Sequence, residues 1–592
     1  MRRTQPQTPR TPISSKPDRR FTPTQTPEEP YNPTLSGNAV KDFKENTVIG
    51  SASQSYAGGF VGNQVGAIIE DSTVESVNSF TVKADYYAGG FSGVMRNDVM
   101  DGALRNLGVD LPDLAKPQSL VENSTLDAGV TVEAGSYAGG FAGAMANSFA
   151  VNDTVNGSIG VHASGVVLAN DTGTVKAGET VALAGGFTGA ATLGWTTDLG
   201  THDAADTNLL KTVNSLLTTA LEGKQDVSTL LSLVGIDESV IAGVKMDGSF
   251  VVSSGDDYAG GVVGRGDGLI LAASDGQHLN GFSFWKHGRT LTESRDNTVS
   301  GLKSVTAKGD YAGGIAGQLG TASIGGIVND TVGLGGFLPF EVSALTVNGV
   351  ADDGYTVTAT GDYASAGIGK ATGGYIGKAT TAYKSKDADG NETNDVPETA
   401  AVTLNDVKSV EANNYAGGFM GASGPGDLVG SDGLNLLGLG VLKIKGLLSV
   451  AQGVMIQSEG VTVNGVKTGM TITATGEHKT GDVTQYVAGG FVGQSNSTQV
   501  VDAHVTGLYT VFADMEYGNA GGFVGLSETG GLADVADDTS IIELVKVNGL
   551  VTAVGYMVPK YTNTDVRYVN GGNVTANMAG GYAGDFQSGK VD

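Results

Sequence analysis

The chain contains no cysteine, which excludes disulfides and thiolate metal sites. Cations are scarce: 35 Lys and Arg face 62 Asp and Glu, for a net charge of −27. Phosphate binding needs clustered Lys and Arg, so this balance argues against nucleic acid as the main partner. It favours solubility and mutual repulsion instead. No apolar run approaches a membrane span. Residues 433–442 are mostly Leu and Gly, but Lys443 and Lys445 follow at once. No apolar stretch follows Arg2 and Arg3 and no Leu-Pro-x-Thr-Gly signal ends the chain, so signals for export are expected outside this stretch.

Recognisable catalytic motifs are missing too. The histidines at 162, 202, 278, 287, 478 and 504 are scattered, and none sits in His-Glu-x-x-His. There is no Gly-x-Ser-x-Gly elbow. Gly369-Lys370-Ala371 and Gly377-Lys378-Ala379 lack the Ser or Thr that a phosphate loop places on magnesium.

Glycine is abundant: 93 of 592 residues, about twice the usual share. It follows a repeat. Tyr56-Ala57-Gly58-Gly59-Phe60-Val61-Gly62 returns as Tyr87-Ala88-Gly89-Gly90-Phe91 and Tyr137-Ala138-Gly139-Gly140-Phe141. The Ala-Gly-Gly core starts at 57, 88, 138, 184, 259, 312, 416, 488, 520 and 579. Thr372-Gly373-Gly374-Tyr375-Ile376-Gly377 reads as an eleventh copy. The tightest spacings, 57 to 88 and 488 to 520, set the length of one coil; wider gaps are a coil plus an insertion.

Strand side chains alternate faces, which places Tyr56, Gly58, Phe60 and Gly62 on one face. The Phe position is always apolar and is expected inside, ring upon ring. The next position varies (Val61, Ser92, Ala142, Thr188) and is expected on an outer or half-covered face. Upstream lie Val-rich runs such as Thr73-Val74-Glu75-Ser76-Val77, and a motif repeated at Val347-Asn348-Gly349-Val350, Val463-Asn464-Gly465-Val466 and Val547-Asn548-Gly549-Leu550. These signal short strands and tight turns. Together they predict an all-β fold, a repetitive parallel β-helix (β-solenoid). A meander of hairpins is the structural rival, since Asn-Gly also favours hairpin turns.

Residues 1–36 hold eight of the 14 prolines and carry six basic and three acidic groups, leaving −30 on the remainder. They are expected to form a disordered Pro/Thr-rich arm. The solenoid is expected over 37–592, with insertions near 94–118, 195–246 and 427–456. Within the second, Leu209, Val213, Leu216 and Ala220 form a helical stripe between a cap at Asp206 or Thr207 and Gly223. A second short helix is expected over 227–234 and a third over 434–450. Their apolar stripes are expected to cover the flank of the solenoid.

Several clusters invite a site. Arg265-Gly266-Asp267 is an integrin-type tripeptide expected in an exposed turn and the named candidate for ligand binding. Asp387, Asp389, Asn391 and Asp395 alternate oxygens around Gly390 as a calcium turn does, making calcium the one cofactor the chain suggests. Asp256-Asp257, Asp352-Asp353 and Asp537-Asp538 are carboxylate pairs of the kind polysaccharide-cleaving β-helices use. Adjacent strand residues point apart, so solvated turns are the plainer reading. Thr356, Thr358 and Thr360, and Thr471, Thr473 and Thr475, form flat rows that β-propensity explains.

The Gly-Gly-Phe-Val-Gly unit over roughly 37–592 resembles the GLUG repeat, a Gly-Gly-Leu-Val-Gly-like motif of large bacterial surface proteins that also occurs beside the catalytic part of immunoglobulin A metallopeptidases. This chain departs from it with Tyr-Ala before the Gly pair and Phe after. The resemblance implies a cell-surface or secreted bacterial protein on a β-solenoid and transfers no catalytic residue. The expected function is a non-catalytic stalk or adhesin segment whose loops meet host-surface proteins, glycans or neighbouring envelope proteins. The alternatives are a polysaccharide-active lyase or glycoside hydrolase, or a non-catalytic calcium- or sugar-binding module.

Overall fold

The computed structural model describes residues 34–42, 47–50, 55–96, 119–167, 180–192, 239–273, 295–321, 339–377, 401–425, 455–476, 485–529 and 558–592. By internal contacts the chain divides into Met1–Tyr31, outside the described residues, and Asn32–Asp592. Among the described residues every helix-or-strand element is a strand. Residues 34–36 of the arm expected over 1–36 belong to the solenoid instead, because Thr34–Ser36 is a strand paired in parallel with Ile68–Glu70.

The strands wind into a repeat of three parallel sheets. Short strands such as Tyr56–Gly58 and Tyr87–Gly89 form an 11-stranded sheet, here the tyrosine sheet. The strands that follow them, Val61–Val65 and Ser92–Arg96, form a second 11-stranded sheet, the corner sheet. The Val-rich runs form a 26-stranded valine sheet. Each pairs with its equivalent one coil on, Tyr56 with Tyr87 and Val82 with Val132. The antiparallel exceptions among described residues are the Val166–Val181 pair and a lone bridge from Val350 to Gly354. The parallel β-helix therefore stands and the hairpin meander falls. Eleven coils at the strand separation of about 4.8 Å make a body roughly 50 Å long.

The Phe position is inside. Phe91, Phe141 and Phe187 have no exposed surface and stack at 4.8 Å. Phe419, Phe491 and Phe523 repeat the stack at 5.3 and 4.8 Å. Phe60, in the first coil, is half-buried and stacks on Phe91 at 4.9 Å. Burying each ring stabilises by about 1.5–3 kcal/mol, with about 0.5–1.5 kcal/mol more per stacked pair.

Three readings of the motif need correction. First, Tyr and Phe do not share a face. The strand stops after Gly58 and the chain bends at Gly59 and Phe60, so alternation does not run through the motif. The inward residues are Ala57 and the Phe; Tyr87 and Tyr137 belong to a separate apolar cluster. The bend explains the glycines. A Cβ on Gly89 would lie 2.7 Å from the amide nitrogen of Gly143, and one on Gly93 would lie 2.9 Å from both backbone nitrogen and carbonyl oxygen of Ala57. Second, the residue after Phe is covered: Ser92, Ala142, Thr188 and Met420 have no exposed surface. Third, the eleventh copy is 363–369, Tyr-Ala-Ser-Ala-Gly-Ile-Gly. Tyr363 pairs with Tyr311 and Tyr415, whereas Gly373-Gly374 leads into a valine-sheet strand, Gly374–Ile376.

Two of the Asn-Gly motifs also differ from expectation; the third, at 547–550, lies outside the described residues. Asn348 and Asn464 lie within strands, Leu345–Gly349 and Ile456–Gly465, not at hairpin turns. Their side chains form a ladder along the axis. Asn405 Nδ2 donates to Asn348 Oδ1 at 2.9 Å, Asn464 Nδ2 to Asn405 Oδ1 at 2.8 Å, and Thr506 Oγ1 to Asn464 Oδ1 at 2.6 Å.

The connections from corner sheet to valine sheet alternate. In the first, third, fifth, seventh, ninth and eleventh coils they are tight, as from Val65 to Ile68 and from Ala146 to Ser148. In the coils between, the strands ending at Arg96, Thr192, Gly320, Gly424 and Glu528 are followed by 97–118, 193–238, 322–338, 426–454 and 530–557, outside the described residues. The three expected helices and the core of each expected insertion lie there. The margins of those insertions are solenoid: Ser92–Arg96, Val240–Ala242, and Lys245–Ser254 are strands.

Candidate binding crease

Beyond the bend at the Gly pair, the outer face of the tyrosine sheet turns toward the outer face of the corner sheet. One column in the crease is Tyr56, Tyr87, Tyr137, Leu183, Tyr258, Tyr311, Tyr363 and Tyr415. The opposite column, seven positions after each tyrosine, is Asn63, Val94, Ala144, Ala190, Arg265, Gln318, Lys370 and Ala422. In the second to fourth coils the crease is apolar and closed: Tyr87, Val94, Tyr137, Ala144, Leu183 and Ala190 pack together and are buried.

From the fifth coil its chemistry changes. Tyr258, Tyr311, Tyr363 and Tyr415 are half-buried. Their rings stack at 4.8, 5.2 and 5.1 Å. Lys370 reaches across from the corner sheet, its Nζ 4.8 Å from the Tyr363 ring centre and 5.9 Å from that of Tyr311. Arg265 lies 5.7 Å over Tyr258 and pairs with Asp267 at 2.9 Å. Burial pushes the Tyr258 hydroxyl up to about 12 against the lowering effect of Arg265, and it raises Tyr311 and Tyr363 further. All three are therefore neutral hydroxyls, able to donate and accept.

The structure thus relocates the tripeptide. Arg265, Gly266 and Asp267 lie in the strand Val263–Asp267, not in an exposed turn, and the two charged side chains are 20% and 17% exposed. Asp387, Asp389, Asn391 and Asp395 lie outside the described residues, as do Asp537 and Asp538. Among the described residues no group of three or more His, Asp or Glu is arranged to hold a metal ion. Asp352 and Asp353 are exposed in a turn, and Asp352 pairs with Lys467 at 3.1 Å. Asp256 and Asp257 stand at the corner leading into Tyr258. Burial first and the charge of Asp310 second raise the Asp256 carboxyl above the usual range.

The tyrosine column escaped sequence reasoning because it was assigned to the interior with Phe. The signal was there: the Phe position is Phe, Val, Ile or Tyr in every coil but the seventh, where it is Gly367, whereas the Tyr position admits Asn519 in the tenth coil, as an outward position can.

No family model, no curated protein and no solved structure matches the chain. The fold defines its class, a β-solenoid protein of the parallel β-helix type.

Proposed function

We propose that the chain is a non-catalytic stalk or adhesin segment of a bacterial surface protein, built to hold binding surfaces at a distance. The observation that supports this reading is the solenoid of the described residues, with long connections between its strands, in alternate coils from the corner sheet to the valine sheet and also at 274–294 and 378–400. In a solenoid each coil touches only its neighbours, so added coils add length and surface. Long connections on a regular scaffold are where contacts with partners are made. The partners proposed are host-surface proteins or glycans and neighbouring envelope proteins, and the GLUG-like repeat fits that setting. Calcium bound by the Asp387–Asp395 loop stays a proposal of the sequence alone.

The test is location. Antibody against the solenoid should label intact bacterial cells, and external protease should remove the label. Labelling only after lysis would overturn the reading. The enzyme alternative has one foothold, the Asp256 carboxyl, which burial shifts upward, the direction a general acid requires. Release of reducing ends from a polysaccharide, lost in Asp256→Asn, would establish it in place of the stalk.

A further inference from the structure

We propose that the crease of the fifth to eighth coils binds a linear, neutral polysaccharide of β-1,4-linked sugars laid along the solenoid axis. This rests on the surface-binding reading above, and it moves the contact from the loops to the body.

Four observations converge. Tyr258, Tyr311, Tyr363 and Tyr415 present one hydroxyl per coil, with rings 4.8–5.2 Å apart. None of these hydroxyls has a hydrogen-bond partner among the described residues, although all four rings are half-buried. Hydroxyls that reach solvent and have no protein partner are open to a ligand hydroxyl in place of water. The row is regular, one ring per coil at 4.8–5.2 Å, and an extended β-1,4 chain advances by close to one coil per sugar.

The facing column adds the polar groups such a ligand needs. Gln318 and Lys370 stand in register across from Tyr311 and Tyr363. Gln318 supplies an amide that both donates and accepts. Lys370 supplies N–H donors while its charge rests on the ring faces.

Charge selects against a polyanion. Arg265 is already paired with Asp267, Lys370 sits on two rings, and Asp257, Asp310 and Asp362 precede three of the tyrosines. With −27 on the whole chain, uronate or sulfate chains meet repulsion without a cluster of available cations. A neutral polyol meets none. The closed crease of the second to fourth coils, filled by Leu183, Val94 and Ala144, marks one end of the site.

The experiment uses the full chain in affinity electrophoresis and calorimetry with soluble xylan and hydroxyethyl cellulose, and with heparin as the anionic probe. The decisive variant replaces Tyr258, Tyr311, Tyr363 and Tyr415 together by Phe, which removes the hydroxyls and keeps the stacked rings. Binding to at least one neutral glycan is expected, falling tenfold or more in the variant with its Tm and circular dichroism retained. Tyr509→Phe, on the exposed face of the valine-sheet strand Gln499–Ala513, should bind as the parent does. Unchanged binding by the fourfold variant, no binding of either neutral glycan by the parent, or preference for heparin would each overturn the proposal. Cell labelling is independent of these outcomes, so failure of the crease and failure of the surface assignment are told apart. Should the fourfold variant misfold, Lys370→Met and Gln318→Leu give the same test from the opposite wall.

Discussion

The Tyr355 hydroxyl donates to the carbonyl oxygen of Ala366 at 3.0 Å, next to Gly367 in the one coil that lacks its core side chain. In that coil Gly367 stands where the others carry Phe, Val, Ile or Tyr. Tyr355, on the neighbouring valine-sheet strand Tyr355–Ala359, has no exposed surface, and its ring lies 2.9 Å from where a Cβ on Gly314 would be. Tyr355→Ala should cost about 3–5 kcal/mol, as loss of a large buried ring does. Tyr355→Phe should cost about 1–3 kcal/mol, the penalty of leaving a buried carbonyl unsatisfied. Urea denaturation of both variants checks the order; equal costs would show that the hydroxyl contributes nothing.

The glycines divide into two classes with opposite expected responses. On Gly93 a Cβ would meet the backbone of Ala57, which has nowhere to move. Gly93→Ala should therefore lower the yield of folded protein severely. Gly160, inside the strand Thr154–Ala163, has nothing within 4 Å of its would-be Cβ. Gly160→Ala should be neutral or stabilising by about 0.4–1 kcal/mol, because it restricts the unfolded chain. Thermal melts of the two variants decide this.

Asp153 makes stability depend on pH. It is fully buried; its Oδ1 accepts from the Ser124 amide at 2.8 Å, and its Oδ2 has no partner among the described residues. Burial foremost, with the charge of Glu122 added, raises its carboxyl well above the ordinary range. A raised folded pKa means that its contribution is full below the unfolded value of about 3.9 and is lost as pH rises through the folded value. Asp153→Asn keeps the Ser124 bond and removes the ionisable proton. Its Tm advantage over the parent should be absent near pH 3 and grow as pH rises. A gap that does not change with pH would refute this.

The asparagine ladder should behave as a unit. Asn405 both donates to Asn348 and accepts from Asn464. Asn405→Ala should cost about 1–3 kcal/mol by leaving polar groups unsatisfied. A double-mutant cycle with Asn464→Ala should show coupling above about 0.5 kcal/mol. Strict additivity would mean that the side chains stand side by side without cooperating.

Much of the fold was legible because one motif recurs with apolar Phe-position residues. The repetitive solenoid and the inward Phe follow from the recurring Gly-Gly-Phe unit and the Val-rich runs upstream of it, while the choice of parallel sheets over hairpins comes from the strand pairing. What was hidden has physical causes. Period-two alternation was carried through Gly59 and Phe60, where the backbone bends, so Tyr56 and Tyr87 were placed with Phe60 when they face outward. The seventh coil was misread because Ser365 and Ala366 replace the Gly pair there, while Gly373-Gly374 imitates it. Asn348 and Asn464 read as turns, since a ladder between coils is a contact across about sixty residues of sequence and leaves no local trace. The Arg265-Gly266-Asp267 match carried no information on strand or turn, and its strand position shows only in register with Ala190 and Gln318.

The central claim is a scaffold that binds without turnover. Its most direct test passes xylan and hydroxyethyl cellulose of defined length over the immobilised chain and sizes what is eluted. The account predicts retention of at least one, reduced in the fourfold Tyr→Phe variant, with eluted chains of unchanged length. Shortened chains, or passage of both without retention, would contradict it.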